Sequence, residues 1–579
     1  PWAKEDFLMA ALQRSREFGL RDHQAKFLGE LAFYQDIRED QVKYMLKALE
    51  LAEDQGLKDK LFEKLTVLSP KYIKEPKPEQ LFDVARDYER YREFEKATGM
   101  FRAIGQDTSS SIDEVVKAYE RLAMSWKVQK RDNVKYRMIL EELLVQLNLF
   151  QDKEDVKDKY LKYFFEYKTL IARRYWTENN RSKAHKILDE ILADERATQT
   201  QLAHAYWLKG EIHSELNHFK KSIENYKSAF EKEIDDNDLF LKVSWAYAWT
   251  LYLQKQYDDS AKAFENAITR IKDPIDQLRY KFWLARTYGK IKQKTKSREI
   301  YMDLLTHSPQ HYYGIMARSE MGIEFPVAPE LKNKLAEDYT IMWLKALTEK
   351  QMGKSYLENK TPVLKNTEEK ISYLPYFSTV DWYEGALKLY FSIPSDERYK
   401  LADSYLPIVF PSPFRDLVKK ASRKFKISSS FIYSIMRQES AFDPEVRSWA
   451  DAFGLLQLTP ERAEQLKTRA GVRYKTYTDL YDPQTNIYLG ARLLKDLQIQ
   501  FKNRFIEYVG SYNASEKAIM HWKKTRFNGD HLEFIERIPY DETRKYVKLV
   551  LRNYINYKRS LSNKPFMFPK NFFYTRLTD

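Results

Sequence analysis

Three successive segments of this chain repeat one spacing of small and aromatic residues, and this repetition constrains the fold more than any other feature. The matching positions are offset by three, seven and ten residues. They are Phe219, Ser222, Tyr226 and Ala229, then Tyr257, Ser260, Phe264 and Ala267, then Lys294, Ser297, Tyr301 and Leu304. The third position advances by 38 residues and then by 37 residues. Such offsets place side chains on one helix face, so the pattern predicts repeated helical hairpins.

These hairpins resemble tetratricopeptide repeats, with a step slightly longer than the usual length of about 34 residues. Gly210, Ala248 and Ala285 supply the small residue that lets a partner helix approach. Weaker copies of the spacing begin at Phe94 and Arg181, so we expect a helical superhelix through most of the first 320 residues.

The composition favours an all-α protein that contacts an anionic polymer. Glycine and proline number 16 and 20 among 579 residues, while aromatic residues reach 15%, and these proportions favour long helices packed through aromatic side chains. The formal net charge is +14, which suits nucleic acid, acidic lipid or the carboxylate-bearing peptides of a bacterial wall. Basic residues are interspersed with acidic ones and form no arginine-rich arm, so nucleic acid is not expected as a partner.

One acid, Glu439, stands out because it follows a predicted helix and precedes a polar, glycine-containing turn. Apolar residues recur at helical spacing between Phe431 and Met436, behind the serine run that begins at Ser428. This pattern predicts a capped helix that ends close to Glu439. The negative end of the helix dipole and apolar neighbours such as Phe442 both disfavour ionisation of a carboxyl group. Such an acid is suited to general acid catalysis.

Four short blocks in the last third of the chain share one order and plausible distances. They read ES at 439–440, GLLQLTP at 454–460, SYNAS at 511–515 and IERIPYDETRKYV at 535–547. Together they resemble the soluble lytic murein transglycosylase family, whose later blocks read GLMQ-x-x-P, A-Y-N-A-G and E-x-I-P-x-x-E-T-R-x-Y-V. The resemblance implies a goose-type, lysozyme-like catalytic domain with a helical arm.

The resemblance also implies chemistry with a single acid, whereas ordinary glycosidases use two carboxylates. Glu439 would protonate the oxygen between N-acetylmuramic acid and N-acetylglucosamine, and its carboxylate would then accept the proton of the muramic 6-hydroxyl. The product would be a 1,6-anhydromuramoyl end, with no cofactor and no metal required. The alternatives are a goose-type lysozyme-like hydrolase and a catalytically idle repeat scaffold.

Match to the family pattern assigns substrate-binding positions to five further residues. Ser448 would hydrogen-bond substrate near the acid, and Gln457 would line the saccharide groove. Leu456 replaces the methionine of many members and should keep the shape of the groove. The hydroxyl of Tyr512 would hold the acid in place, and Glu536 would face the groove. Ordinary structural roles for these residues are a turn, a cap, a core position or an ion pair.

Two positions depart from the family pattern. Ser515 replaces the glycine of the third block, so a positive φ there would distort the loop. Asp451 stands where the family often has glycine, and it is either a solvated turn residue or a second carboxylate that stabilises an oxocarbenium ion or positions water.

We predict three domains: a helical superhelix at 1–322, a helical linker at 323–408 and the catalytic domain at 409–579. The run from His311 to Gly322 resembles the element that closes the family's superhelix. This helical region either binds a protein partner or acts as an arm that orients glycan strands, and the family resemblance favours the arm.

Several features bear on location and on other chemistries. The chain contains no cysteine, which is compatible with an oxidising compartment. No run of eighteen apolar residues occurs, and the sequence starts at Pro1, so neither a membrane span nor a signal peptide is visible. The family resemblance implies a periplasmic protein of a Gram-negative bacterium, and we expect its leader to have been removed. The nine histidines never show metal-ligand spacing. Gly353, Lys354 and Ser355 lack the preceding glycine of a phosphate-binding loop.

Overall fold

The computed structural model describes residues 2–35, 37–128, 132–329, 336–346, 350–394, 397–398, 401, 403–448, 451–562, 564–577 and 579. Regular structure in these ranges is helical, and the only β contacts among them are isolated bridges. No helix of the described residues is both long enough and apolar enough to span a membrane. The predicted all-α class is therefore confirmed. The chain divides into two compact units, Pro1–Gln254 and Lys255–Asp579.

The first unit consists of helices that pack mainly against their neighbours in sequence. They are α1 (Trp2–Glu17), α2 (Arg21–Leu31), α3 (Arg38–Leu51), α4 (Gln55–Leu68), α5 (Leu81–Arg90), α6 (Phe94–Gln106), α7 (Ile112–Val128), α8 (Asn133–Leu147), α9 (Lys157–Thr177), α10 (Arg181–Leu192), α11 (Gln199–Glu215), α12 (Phe219–Phe230) and α13 (Asn237–Leu253). One apolar cluster joins α1 to α4, and a second runs from α5 to α13.

The second unit contains the remaining helices. They are α14 (Tyr257–Arg270), α15 (Pro274–Lys290), α16 (Lys294–His307), α17 (Tyr312–Glu320), α18 (Tyr339–Ala346), α19 (Lys350–Lys360), α20 (Thr367–Phe377), α21 (Tyr383–Phe391), α22 (Leu406–Val409), α23 (Arg415–Phe425), α24 (Ser429–Glu439), α25 (Pro460–Ala470), α26 (Pro483–Gln500), α27 (Phe505–Asn513), α28 (Glu516–Arg526), α29 (His531–Glu536) and α30 (Asp541–Leu561). Helices α24 and α30 pack along each other.

Short 3-10 helices complete the described secondary structure. They are Ala32–Tyr34, Pro70–Tyr72, Pro78–Gln80, Asn148–Phe150, Glu154–Val156, Thr361–Val363, Ser378–Val380, Tyr477–Tyr481 and Phe572–Tyr574.

The repeated spacing corresponds to helices α12, α14 and α16. Their second, third and fourth repeat positions are buried in all three helices. Two residues before each helix, Asn217, Lys255 and Lys292 adopt φ values of 59°, 60° and 63°. The same left-handed turn therefore leads into each repeat helix, and the predicted helical repeat is confirmed.

The close approach predicted for Gly210 is present within the pair α11 and α12. A Cβ atom at Gly210 would lie 2.4 Å from the ring of Tyr226. Because this distance is far below van der Waals contact, only glycine allows the ring to pack at this depth.

The C-terminal segment of the second unit returns to the residues that follow α17. The backbones of Phe325 and Phe566 hydrogen-bond to each other at 2.8 and 3.1 Å, and their rings stack with centroids 5.2 Å apart. Arg559 of α30 donates to the carbonyl of Pro326 at 3.1 Å and pairs with Asp403 at 2.9 Å. Parts of the predicted linker and catalytic domain thus pack in one unit. The domain boundaries at 322 and 408 remain predictions. The division of the chain into two compact units falls after residue 254.

Candidate active site

Helix α24 places Glu439 as its last residue, as the sequence predicts. Its first turn is capped by Ser428, whose hydroxyl accepts a hydrogen bond from the Phe431 amide at 3.2 Å. The carboxylate of Asp579 adds a second cap, because it accepts from the amides of Ser429 and Ser430 at 2.8 and 2.9 Å. A negative charge at this helix end is also favoured by the helix dipole. Helix α24 is therefore anchored at the end opposite to Glu439.

Glu439 is half-buried at the end of α24, and its carboxyl group is largely desolvated. Burial raises its pKa to about 7, with a further upward contribution from the charge of Glu542, while a hydrogen bond from Tyr546 opposes the rise. The hydroxyl of Tyr546 donates to Oε1 of Glu439 at 2.5 Å. Desolvation disfavours the ionised form of a carboxyl group, so this acid holds its proton much closer to neutral pH than an exposed glutamate does.

The chain reverses sharply after Glu439 through two residues in the left-handed region. Ala441 and Phe442 have φ values of 49° and 74°. Ser440 fixes the reversal, because its hydroxyl donates to the Leu455 carbonyl at 2.9 Å and accepts from the Phe442 amide at 3.1 Å. The Phe442 ring packs edge-on against Tyr383 of α21, with centroids 5.8 Å apart. This bend connects the acid to the turn of the second block.

The second block forms a tight turn that requires glycine at Gly454. Its φ is 70°, and a Cβ atom there would lie 2.3 Å from the carbonyl oxygen of Leu480. Both the backbone conformation and the space exclude a larger residue. Gln457, with a φ of 46°, is a second strained position in the same turn, and such strain is common at functional sites.

Asn486 of α26 holds this turn, although it belongs to none of the four sequence blocks. Its fully buried side chain accepts from the Leu456 amide at 2.8 Å and donates to the carbonyls of Phe453 and Leu480 at 2.9 and 2.7 Å. A buried amide that satisfies three backbone groups stabilises one conformation of the turn. This role could not be predicted from the sequence, because a lone asparagine within an amphipathic helix has no distinguishing pattern.

Leu456 does not line a groove, which corrects the prediction for this residue. Its side chain is fully buried and lies so close to Gly490 that a Cβ atom there would be 2.2 Å from its Cδ1. The reason is that Gly490 opens a recess in α26, and the apolar side chain fills it.

Gln457 and Ser448 are half-buried and lie in the same loop region as the turn. The side-chain amide of Gln457 donates to the carbonyls of Val446 and Gly454 at 3.1 and 3.0 Å. The hydroxyl of Ser448 accepts from the Ala452 amide at 3.1 Å. Both side chains thus stabilise the loop, and their contact with substrate remains a prediction.

The tyrosine whose hydroxyl contacts Glu439 is Tyr546 and not Tyr512, so the role predicted for Tyr512 is wrong. The hydroxyl of Tyr512 donates to the carbonyl oxygen of Leu456 at 2.7 Å. Tyr512 is close enough for the charge of Glu439 to contribute to raising the pKa of its phenol, after the larger effect of burial. It therefore ties the third block to the second block, whereas the fourth block supplies the contact with the acid.

Glu536 does not face a groove, which is a third correction. The side chain is 1% exposed and pairs with Arg279 at 2.6 Å and Lys548 at 2.8 Å. Trp283 and Tyr313 also donate to it, at 3.2 and 2.7 Å. Burial opposes ionisation, yet the two cations and the hydrogen bonds hold the pKa of this carboxyl well below its usual range. Arg279, Lys548 and two neutral donors surround the carboxylate and direct it into the protein. Burial lowers the pKa of Lys548 to about 7, while the charge of Glu536 opposes this change.

The acid that acts on Glu439 from the fourth block is instead Glu542. It is exposed at the start of α30, and its charge raises the pKa of Glu439. The amide of Asn513, next to Tyr512, donates to Glu542 at 3.3 Å. Glu542 and Tyr546 both belong to the predicted ETRKYV run, so the block was identified correctly and the assignment within it was wrong.

The two departures from the family pattern have simple structural outcomes. Ser515 has a φ of −103° and caps α28 by accepting from the Ala518 amide at 3.2 Å. No positive φ is required at this position, so the loop is not distorted. Asp451 pairs with Arg447 at 2.7 Å, and both side chains are more than 40% exposed, at 44% and 46%, which is the arrangement of a solvated turn.

Comparison with known proteins gives two family matches. Residues 416–535 match the Transglycosylase SLT domain, and residues 203–231 match a tetratricopeptide repeat. The soluble lytic murein transglycosylase of Escherichia coli K12 is 35% identical over 158 residues, which are 27% of this chain and 24% of that protein. The putative soluble lytic murein transglycosylase of Haemophilus influenzae is 35% identical over 162 residues, which are 28% of this chain and 27% of that protein. The chain thus spans about a quarter of the length of these curated relatives.

Two crystal structures share the fold over most of the chain. An inactive mutant of the lytic transglycosylase Slt from Pseudomonas aeruginosa has a TM-score of 0.56 and 18% identity, covering 97% of this chain and 86% of that chain. The 70 kDa soluble lytic transglycosylase of Escherichia coli has a TM-score of 0.50 and 17% identity, covering 96% of this chain and 97% of that chain. The predicted architecture, with tetratricopeptide-like helical hairpins and a lysozyme-like C-terminal region, is confirmed. Residues 416–535 thus match the Transglycosylase SLT domain, and the chain as a whole is similar in fold to these two lytic transglycosylases.

Proposed function

We propose that this protein is a peptidoglycan lytic transglycosylase in which Glu439 is the single general acid and base. The carrying observation is the half-buried Glu439, whose carboxyl pKa is raised to about 7 by desolvation and whose Oε1 accepts from Tyr546. A catalytic group with a pKa near the working pH can both donate and accept a proton within one turnover. Cleavage without water, by a single acid, requires one residue to perform both proton transfers.

In the proposed reaction, Glu439 donates its proton to the glycosidic oxygen between N-acetylmuramic acid and N-acetylglucosamine. The bond between this oxygen and C1 of N-acetylmuramic acid breaks, and N-acetylglucosamine departs with a new hydroxyl group. The carboxylate then accepts the proton of the muramic 6-hydroxyl while the 6-oxygen bonds to C1. Because Tyr546 engages Oε1, we assign Oε2 to both proton transfers. The product is a 1,6-anhydromuramoyl end, and no cofactor takes part.

A hydrolase of the same bond is the second candidate, and the position of Glu542 is the observation that favours it. This exposed carboxylate acts electrostatically on Glu439, and a second carboxylate near a catalytic acid can activate water. The two activities give products that differ by one water molecule. A catalytically idle scaffold, the third candidate, gives no cleavage.

We infer that the remaining parts of the molecule bring glycan strands to this site. Ser448 and Gln457 are the proposed substrate contacts, since both border the strained turn that follows the acid. The net charge of +14 favours contact with the carboxylates of peptidoglycan peptides. The helical hairpins are proposed to orient the strands and to bind protein partners, and the proposed location is the periplasm of a Gram-negative bacterium.

The test is digestion of purified peptidoglycan followed by mass analysis of the muropeptides. We expect anhydromuramoyl products from the unaltered protein and none from Glu439→Gln. Glu461→Gln, which changes an exposed acid on α25, is the matched control and should retain full activity. Reducing ends in place of anhydro ends would favour the hydrolase, and intact peptidoglycan would leave only the scaffold.

A further inference from the structure

The second unit contains a buried charged cluster that contacts the helix carrying Tyr546 from its other side. The cluster consists of Glu536, Arg279, Trp283, Tyr313 and Lys548. Its Glu536 carboxylate accepts from Arg279 at 2.6 and 3.0 Å and from Trp283, both on α15. Tyr313 of α17 and Lys548 of α30 complete its partners. Side chains from the last helical hairpins therefore converge with α30 on one carboxylate.

Lys548 and Tyr546 are two positions apart on α30 and so project about 200° apart around the helix axis. Tyr546 contacts Glu439 on one side. On the other side, Lys548 donates to Tyr313 at 2.9 Å and to Glu536 at 2.8 Å. Any rotation of α30 that loosened the Lys548 contacts would also move the Tyr546 hydroxyl. The two contacts are thus coupled through one rigid element.

A further contact fixes the same helix along its length. Two turns beyond Lys548, the side chain of Asn556 donates to the Gln310 carbonyl, just before α17, at 3.1 Å. A separate ion pair, between Lys281 of α15 and Asp303 of α16 at 2.8 Å, joins two helices outside α30. This pair provides an internal comparison, since it uses a lysine of α15 but no residue of α30 or of the charged cluster.

We propose that Lys548, held by Glu536 and Tyr313, is a positioning residue that sets the rotation of α30 and thereby keeps the Tyr546 hydroxyl on Glu439. The proposal rests on the proposed function for its effect on turnover. In this arrangement the last helical hairpins are part of the support of the catalytic acid. The hydrogen bonds of Lys548 go to Tyr313 and Glu536, so its effect on Glu439 passes through α30 and Tyr546.

Lys548→Met removes the amino group and its hydrogen bonds while leaving Glu536 paired with Arg279. We expect kcat to fall about 10- to 100-fold with little change in KM, because small displacements of catalytic groups have effects of this size. The alkaline limb of the kcat–pH profile should move upward, as it should for Tyr546→Phe, because a weakened Tyr546 donor destabilises the ionised form of Glu439. Lys548→Arg should restore most of the rate.

Lys281→Met is the matched control, because it breaks the comparison ion pair of another lysine and should leave the pH profile unchanged. The double variant Tyr546→Phe with Lys548→Met should lose no more rate than the worse single variant, since the two act through one contact. Additive losses, or a Lys548→Met profile identical to that of the parent, would overturn the proposal. If Lys548→Met fails to fold, Tyr313→Phe removes the bridging hydroxyl without removing a charge, and the same criteria apply to it.

An infrared titration of the Glu439 carboxyl band, defined by difference from Glu439→Gln, separates this proposal from the proposed function. Lys548→Met should raise the titration midpoint of that band even if no peptidoglycan is cleaved. A midpoint shift without any turnover in the parent would sustain the positioning role and reject the transglycosylase assignment. An unchanged midpoint in a well-folded variant would reject the positioning role.

Discussion

The Tyr546 hydroxyl lies 2.5 Å from Oε1 of Glu439, a contact between residues 107 positions apart in the sequence. It joins the end of α24 to the first turns of α30, the two helices that pack along each other in the C-terminal region. Because the phenol donates, it favours the carboxylate, while burial favours the neutral acid. The balance of these effects places the pKa of Glu439 near neutrality.

Tyr546→Phe should therefore lower kcat by about tenfold or more while changing KM little, because the lost contact positions the acid and not the sugar. The pKa of Glu439 should rise, so the loss of activity at high pH should begin at a higher pH than in the parent. The kcat–pH profile measures both effects. Tyr512→Phe, which loses only the contact with the Leu456 carbonyl, should leave the alkaline limb in place; an equal shift in both variants would contradict the assignment.

Glu542→Gln should move the alkaline limb of the kcat–pH profile to lower pH, opposite to the shift expected for Tyr546→Phe. Removing the neighbouring negative charge favours ionisation of Glu439, so its pKa should fall below about 7. Activity should then decline at a lower pH than in the parent. Asp541→Asn removes an adjacent exposed acid on the same turn and serves as the control, because it carries no contact with Glu439. If Glu542→Gln instead yields fewer hydrolysis products with an unchanged profile, Glu542 acts on water and not on the acid.

Glu439→Gln should abolish turnover and also change the pH dependence of stability. The folded-state pKa of about 7 exceeds an unfolded value near 4.3. At a pH between these two values, the folded state therefore binds one proton more than the unfolded state does. The stability contribution is complete below about pH 4 and is lost as pH rises through 7. The variant should therefore gain about 1–3 kcal/mol relative to the parent at pH 8 and nothing at pH 4. Urea unfolding at both values measures the difference, and an equal effect at both would mean that Glu439 is not protonated in the folded state.

Asp579→Asn should destabilise the protein by about 1–2 kcal/mol at pH 7, as expected for a charged cap. Burial opposes ionisation of Asp579, but hydrogen bonds from Ser428 and from the amides of Ser429 and Ser430 lower its pKa. Its contribution is present above the unfolded pKa near 3.9 and is lost as pH falls through the lower folded value. The gap between variant and parent in urea unfolding should thus close in acid. Asp258→Asn, at an exposed first-turn acid of α14, should have a smaller effect that is independent of α24.

Gly454→Ala should destabilise the protein by about 2–4 kcal/mol and disrupt the turn beside the acid. Two control glycines separate the backbone contribution to this loss of stability from the steric contribution. Gly19 also has a positive φ, 67°, but no atom within 4 Å of a Cβ, so Gly19→Ala reports the backbone cost alone. Gly99 lies within α6 and also has open space, so Gly99→Ala should be neutral or stabilising by up to about 1 kcal/mol. A Gly454→Ala cost no larger than that of Gly19→Ala would mean that the contact with Leu480 relaxes freely.

The helices and the region of the active site follow from local patterns in the sequence. The offsets in α12, α14 and α16 reflect the period of an α-helix, which is fixed by backbone geometry. The serine cap and apolar face of α24 likewise predict a helix that ends at Glu439. Ser515 shows the limit of such reasoning, since its role depends on a backbone angle that the family pattern did not reveal.

Only the tertiary structure decided which residue of each block meets which partner. Tyr512 and Tyr546 each have a polar neighbour in the sequence. The packing of their helices nevertheless directs the Tyr512 hydroxyl toward the Leu456 carbonyl and the Tyr546 hydroxyl toward Glu439. Glu536 and Glu542 lie six positions apart in one motif, yet one is enclosed by Arg279 and Lys548 and the other is exposed. Sequence fixes the order of side chains along an element. The rotation of that element, and hence each side chain's partner and pKa, is set by packing between residues that are distant in the chain.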